Sequence, residues 1–192
     1  MHIVANLESF IADYGVVFVL IGTLIEGETI VIMAGFLSHQ GVLNPFAVAA
    51  AAFVGSWLSD QGLFFIGRRY SDTAFVRKQM KRPIFARALG MIEENSTQFI
   101  LAFRFLYGFR TVSPLAIGIS SVPAGRYLLL NTIAAAIWAP AMTAIGYLLA
   151  SLLHGAVGRL PAIEHRIGAA LGAAVLTLVI IHLVSSRFKR SA

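Results

Sequence analysis

Cysteine is absent from all 192 residues. That excludes disulfides, thiolate metal sites and thiol catalysis. Charge is scarce, at 12% of residues, and neither Lys nor Arg occurs before Arg68. MHIVANLESFIADYG therefore lacks the positive n-region of a signal peptide, and no cleavage is expected. No Gly/Ser/Pro-rich linker or low-complexity run divides the chain, so residues 1–192 are expected to form one membrane domain. His39, His154, His165 and His182 are too scattered for a metal site. No nucleophile–base arrangement stands out either, so the chain reads as a non-enzyme without metal or cofactor.

What the chain has is apolar surface. It is 58% hydrophobic, with a mean hydropathy of +0.80. A soluble domain averages about 45–50% apolar residues, and several runs here approach the roughly 20 residues that cross hydrocarbon. The reading is an all-α polytopic protein of a bacterial inner-membrane type. The net charge of +6 is a topology signal, because Lys and Arg flank apolar segments. It does not point to nucleic acid, which needs a basic soluble face.

A short amphipathic lead-in with Glu8 and Asp13 precedes an apolar stretch from Tyr14 to about Leu37, interrupted by IEGET. A second stretch runs Pro45–Ile66. Residues 68–95 then carry Arg68, Arg69, Arg77, Lys78, Lys81, Arg82 and Arg87 against Asp72, Glu93 and Glu94. Phe75, Val76, Met80, Ile84, Phe85, Leu89 and Ile92 recur at helical spacing, interrupted near Pro83. This suits a basic amphipathic segment, either lying on a membrane surface or solvated as a loop helix. Apolar stretches follow at Thr97–Ala124, Tyr127–Leu153 and, after a polar turn, Ile167–Val184. RFKR, with Arg187, Lys189 and Arg190, closes the chain and serves to set topology.

The positive-inside rule puts the basic segment and the tail in the cytoplasm. Tyr127–Leu153 and Ile167–Val184 then cross outward and back, so residue 125 lies inside, as does residue 95. The stretch between them enters and leaves on one face. The same parity makes Tyr14–Leu37 enter and leave from outside. The expected architecture is an inverted repeat of two opposed re-entrant helical hairpins, within residues 14–66 and 97–153. Each is followed by a crossing, and a C-terminal transmembrane helix spans 167–184. Gly35 and Gly118 stand 83 positions apart and Trp57 and Trp138 stand 81 apart, in keeping with a repeat. Four plain spans with surface helices is the competing topology.

Arg104 and Arg110 decide between them. A charge at mid-bilayer costs at least roughly 2.5–3.5 kcal/mol, so two facing lipid cost about 5–7 kcal/mol. They belong in a protected cavity, paired with anions. The apolar segments offer three acids: Glu26, Glu28 and Asp60. Opposed hairpins bring Glu28 near Arg104 or Arg110, and Glu28 and Arg110 are in register, 82 positions apart. Inverted-repeat transporters build midplane sites in this way. A buried brace without transport is the plainer alternative. Guanidinium groups also hold phosphate bidentately. Gly27, Gly35, Gly108, Pro114 and Gly118 allow bends around such a site, or merely close helix packing. Tyr70, Tyr147, Trp57 and Trp138 read as interfacial anchors or core.

EGETIVIMAGFLSHQG, SDQGLFFIGRR and RFLYGFRTVSPLAIG, in that order within about residues 14–150, resemble the motifs of the DedA family, which shares the VTT domain with eukaryotic lipid scramblases. The resemblance implies two opposed re-entrant hairpins and lipid flipping or scrambling. It also implies undecaprenyl phosphate recycling in several members, and a link to the proton motive force. Glu28 and Asp60 match the family's acidic positions, and Arg104 and Arg110 its two essential arginines. Three positions depart from the pattern: Glu26 and Tyr107 stand where the family has Pro, and Ser59 where it has Gly. The family's upstream acid is absent unless Glu26 serves.

The leading expectation is a translocase for a phosphate-bearing lipid, undecaprenyl phosphate or a phospholipid. Arg104 and Arg110 would hold the phosphate, while Glu28, Asp60 and Glu26 pair with them or relay protons. The alternatives are a proton-coupled transporter of a small solute or ion, an intramembrane enzyme such as a lipid phosphatase, and a non-transporting scaffold. Membrane lipids and protons are the expected partners, nucleic acid is not, and a homo-oligomer is allowed.

Overall fold

A computed structural model describes residues 2–106 and 108–157, with side chains from Tyr14 to His154 except Tyr107. The C-terminal helix expected at 167–184, most of the polar turn, His165, His182 and the RFKR tail lie outside the described residues, as does Tyr107. All described elements are helical.

The first apolar stretch is α1, His2–Ile25, and α2, Glu28–His39. The lead-in expected as a separate piece is continuous with α1. The chain breaks at Glu26–Gly27, where two carboxylates flank a glycine in an otherwise apolar run. Glu28 then sits in the first turn of α2, where the helix dipole favours an anion. α2 closes in a left-handed turn: Val42 N–H donates to the Leu37 carbonyl, Gly41 N–H to Ser38, and Gly41 takes φ +78°. A side chain at that φ is strained, so glycine suits it.

α3, Pro45–Arg69, starts on Asn44, whose Oδ1 accepts from the Phe46 and Ala47 amides at 2.9 and 3.2 Å. Proline fills the first helical position, where its missing N–H costs nothing. α4 is Ala74–Met80, and α5 runs Pro83–Ala102. Within α5, Asn95 leaves helical geometry (φ −156°, ψ 89°), and its side chain accepts from the Gln98 amide at 3.1 Å. Asn95 thereby caps a second helical piece, and the expected boundary between the basic segment and the second apolar stretch falls there. A 3-10 turn, Phe103–Phe105, and a loop with Gly108 at φ +82° lead to α6, Ser113–Ile119, and then to α7, Ala124–Val157.

Among the described residues two helices, α3 and α7, are long and apolar enough to cross a membrane. Their outward faces leave Val54, Leu58, Phe65, Leu129, Ile133, Ile137 and Leu148 exposed, a surface that suits lipid and not water.

Glycines set how the helices meet. A side chain at Gly35 of α2 would strike the Thr143 carbonyl of α7, and one at Gly146 would strike Ile32 of α2. A side chain at Gly118 of α6 would strike the Phe64 carbonyl of α3, and one at Gly67 would strike Leu115 of α6. In each pair a glycine meets the carbonyl three residues before its partner glycine. The same packing device therefore occurs twice, between α2 and α7 and between α6 and α3. Each short arm rests on the long helix of the other half of the chain.

The apolar stripe of residues 68–95 packs largely against the protein itself. Val76, Phe85, Ala88 and Ile92 are buried in a core with Phe64, Phe99, Leu115 and Tyr127. Helical spacing marks an apolar face but not what covers it, and here the protein covers most of it.

Candidate functional site

Along α3, Ser56 and Asp60 are one helical turn apart and so share a face. Along α7, Tyr127, Asn131 and Trp138 form another stripe by the same periodicity. The 3-10 turn after α5 inserts Arg104 between these stripes. Arg104 and Asp60 are 0% and 1% exposed, and Arg104 Nη2 stands 2.5 Å from Asp60 Oδ2. Arg104 also donates through Nη1 to Ser56 Oγ and through Nη2 to Asn131 Oδ1, both at 3.1 Å. Tyr127, stacked on Phe64 with centroids 4.2 Å apart, donates from its hydroxyl to the Asp60 carbonyl at 3.3 Å. Arg104 is thus held by protein on most sides. Among the described residues, only its Nε finds no hydrogen-bond partner.

Arg110 is placed differently. It is half-buried on the loop before α6, and its Nη2 donates to the Thr23 carbonyl in the last turn of α1 at 3.3 Å. A cation there complements the negative end of the α1 dipole. Its Nη1 is buried without a partner among the described residues. Its guanidinium fills the place a side chain at Gly27 would take, so only glycine admits Arg110 to the break between α1 and α2.

Among the described residues the one ion pair is Arg104–Asp60. The Glu28–arginine pair expected from register is not formed. Glu28 is half-buried beside Gly27, and Glu26 is exposed and accepts from Thr29 Oγ1 at 2.9 Å. The two carboxylates flank the glycine on which Arg110 rests. Gly35 and Gly118 serve helix packing, and Gly108 makes the turn between the two arginines. Pro114 lies in the first turn of α6.

Two residues of the site were not marked as site residues by the sequence. Trp138 is fully buried, with its ring centroid 4.7 Å from Arg110 Cζ and 5.8 Å from Arg104 Cζ, so both cations lie near one aromatic ring. Asn131, also fully buried, holds Arg104. Trp57, its counterpart in the expected repeat, is half-buried and donates to Thr132.

The electrostatic result is a site rich in donors. Arg104 Nε, Arg110 Nη1, Asn131 Nδ2 and Trp138 Nε1 are all buried donors without partners among the described residues. Two of the four belong to the arginines themselves, Asp60 is the described acid paired with them, and Gln61 and Ser113 Oγ are buried without partners among the described residues as well. Leaving a buried donor unmatched costs about 1–3 kcal/mol, so this cluster favours an oxygen-rich anion. Among the described residues no group of three or more metal-ligating side chains forms.

A family model described as the VTT domain matches residues 24–148. The chain is 35% identical over 142 residues to the Escherichia coli inner membrane protein YohD, covering 74% of each. It is 31% identical over 137 residues to the E. coli inner membrane protein YghB, covering 68% of this chain and 61% of YghB. No solved structure gives a significant match.

Proposed function

The chain belongs to the VTT-domain family, that of the DedA membrane proteins, and from that premise we propose that it moves a phosphate-bearing lipid across the bacterial inner membrane. The lipid is undecaprenyl phosphate or a phospholipid. The observation that carries this reading is the cluster of four unmatched buried donors around Arg104, Arg110 and Trp138. A phosphate presents several acceptor oxygens and a delocalised negative charge, the complement of that cluster.

The two arginines divide the work. Arg110 offers the headgroup Nη1 at the α1–α2 break. Arg104, tied to Asp60, shapes the site and contributes Nε. Glu28 and Glu26 flank Arg110 and are placed to pair with it when the headgroup leaves, or to pass a proton. No covalent step is involved, so the protein acts as a transporter and not as an enzyme.

The re-entrant arrangement belongs to the same proposal. α2, at 12 residues, spans about 18 Å, and α6 has 7 residues. Neither reaches across roughly 30 Å of hydrocarbon. Each is packed on a long helix of the other half, which covers much of its backbone, as bends within a bilayer require. The basic segment lies on the cytoplasmic side in this topology.

The test is reconstitution in vesicles carrying a labelled phospholipid or polyprenyl phosphate, comparing wild type with Arg110→Gln. Arg110→Gln is expected to fold and to lose lipid movement. Wild-type rates in a folded Arg110→Gln protein would sink the reading. Uptake of a soluble solute without lipid movement would instead make the chain a small-solute transporter.

A further inference from the structure

We propose that the elbow formed by the end of α3, α4 and the first turns of α5 binds anionic lipid headgroups of the leaflet it faces, at a place separate from the arginine site. Residues 68–92 hold seven basic residues and a single acid, Asp72. All seven basic residues are exposed. None makes an ion pair among the described residues. Arg68 donates to the Val122 carbonyl at 2.6 Å and Arg82 to Gln79 at 3.2 Å, both neutral acceptors. No described acidic side chain therefore neutralises this surface through an ion pair.

Packing fixes which way the charges point. Val76, Phe85 and Ala88 are buried in the core, which turns Arg77, Lys78, Lys81 and Arg82 outward. Apolar side chains stay exposed among them: Tyr70 at 57%, Phe75 at 46% and Met80 at 43%. Cations interleaved with shallow apolar anchors match an anionic bilayer surface, where each contact satisfies charge and buries a side chain. The elbow directly follows the membrane-crossing α3, so the bilayer is the surface within its reach. It also adjoins the arginine loop, because Ile84 of α5 lies against Gly108, between Arg104 and Arg110. Lipid held at the elbow sits beside the loop that carries the site.

The chain has no cysteine, so Phe75→Cys gives a single attachment point for an environment-sensitive fluorophore on the full-length protein. The labelled protein is reconstituted in phosphatidylcholine vesicles with and without phosphatidylglycerol. Phosphatidylglycerol is expected to blue-shift the emission and to let brominated lipid quench it, and high salt is expected to reverse both. Substituting Arg77, Lys78, Lys81 and Arg82 with Gln should weaken the response, by about fivefold in apparent affinity per residue removed. A Met80→Cys label provides the same readout if the first label perturbs its own site. Identical emission in the two vesicles, or an unchanged response in the four-residue variant, overturns the proposal. So does a response to a soluble polyanion such as heparin with none to phosphatidylglycerol, which would mark a docking site for an acidic macromolecule. No transport is measured, so the outcome does not depend on the translocase reading.

Discussion

Removing one partner of the Arg104–Asp60 pair should harm the protein more than removing both. Arg104 is 0% exposed and Asp60 1% exposed. Asp60→Asn leaves a buried guanidinium without its countercharge, and Arg104→Gln leaves a buried carboxylate. Breaking a buried pair from one side costs about 3–5 kcal/mol, a large share of the roughly 5–15 kcal/mol that holds a domain together. For a chain of this length that lowers a melting midpoint by about 6–20 °C, at about 2–4 °C per kcal/mol. The double variant buries two amides that can bond each other and Asn131. Its loss should fall short of the sum of the singles by about 2 kcal/mol or more, a coupling within the range seen for contacting residues. The assay is the thermal midpoint of detergent-solubilised protein, followed by size-exclusion recovery, for all four members of the cycle. Midpoints in the single variants within about 3 °C of wild type, or strictly additive losses, would refute the brace. Arg104 would then be free for the headgroup role proposed for Arg110. The cycle also guards a functional test, because inactivity in Arg104→Ala alone would confuse a lost ligand with a lost fold.

Gly27→Ala should leave the midpoint within about 3 °C of wild type and abolish lipid movement. The atoms in its way are the tip of the flexible Arg110 side chain, which swings out of the site. Full activity in that variant would show that Arg110 acts from elsewhere. Gly118→Ala should do the reverse of a site mutation: its new methyl meets the Phe64 backbone carbonyl, overpacking costs about 1–3 kcal/mol, and the midpoint falls whatever lipid is present. An unshifted midpoint would count against the glycine packing. Arg110→Gln should weaken lipid-phosphate binding about tenfold to a hundredfold, the worth of a charge-assisted hydrogen bond of roughly 1.5–3 kcal/mol, as read by titration of purified protein. Trp138→Phe keeps an aromatic ring beside the arginines but loses the Nε1 donor, so binding should weaken by about fivefold, the worth of one neutral hydrogen bond. A value equal to wild type would remove that donor from the site.

Local chemistry was enough to place the elements. Pro45 opens the second apolar stretch and Pro83 interrupts the basic one, because proline acts on a helix within a single turn. Glu26–Gly27–Glu28 announces a break because charged residues and glycine interrupt an apolar helix wherever it packs. The length and composition of Pro45–Ile66 and Tyr127–Leu153 mark them as the two long apolar helices, since hydrocarbon thickness sets that length before any packing occurs. The cost of charge in lipid already required Arg104 and Arg110 to be sheltered. Pairing was another matter. Sequence register aligns Glu28 with Arg110, yet Arg104 meets Asp60, because α3, α7 and the 3-10 turn converge at depths set by glycine-to-carbonyl contacts between residues far apart in the chain. The same convergence brings Asn131 and Trp138 to the arginines, and nothing near them in sequence signals it. The basic segment's apolar stripe was legible, but what covers it depends on the neighbouring helices. Periodicity tells a helix which side to bury. Only the tertiary structure decides against what, and so decides which arginine is enclosed with Asp60 and which stands half-buried at the α1–α2 break.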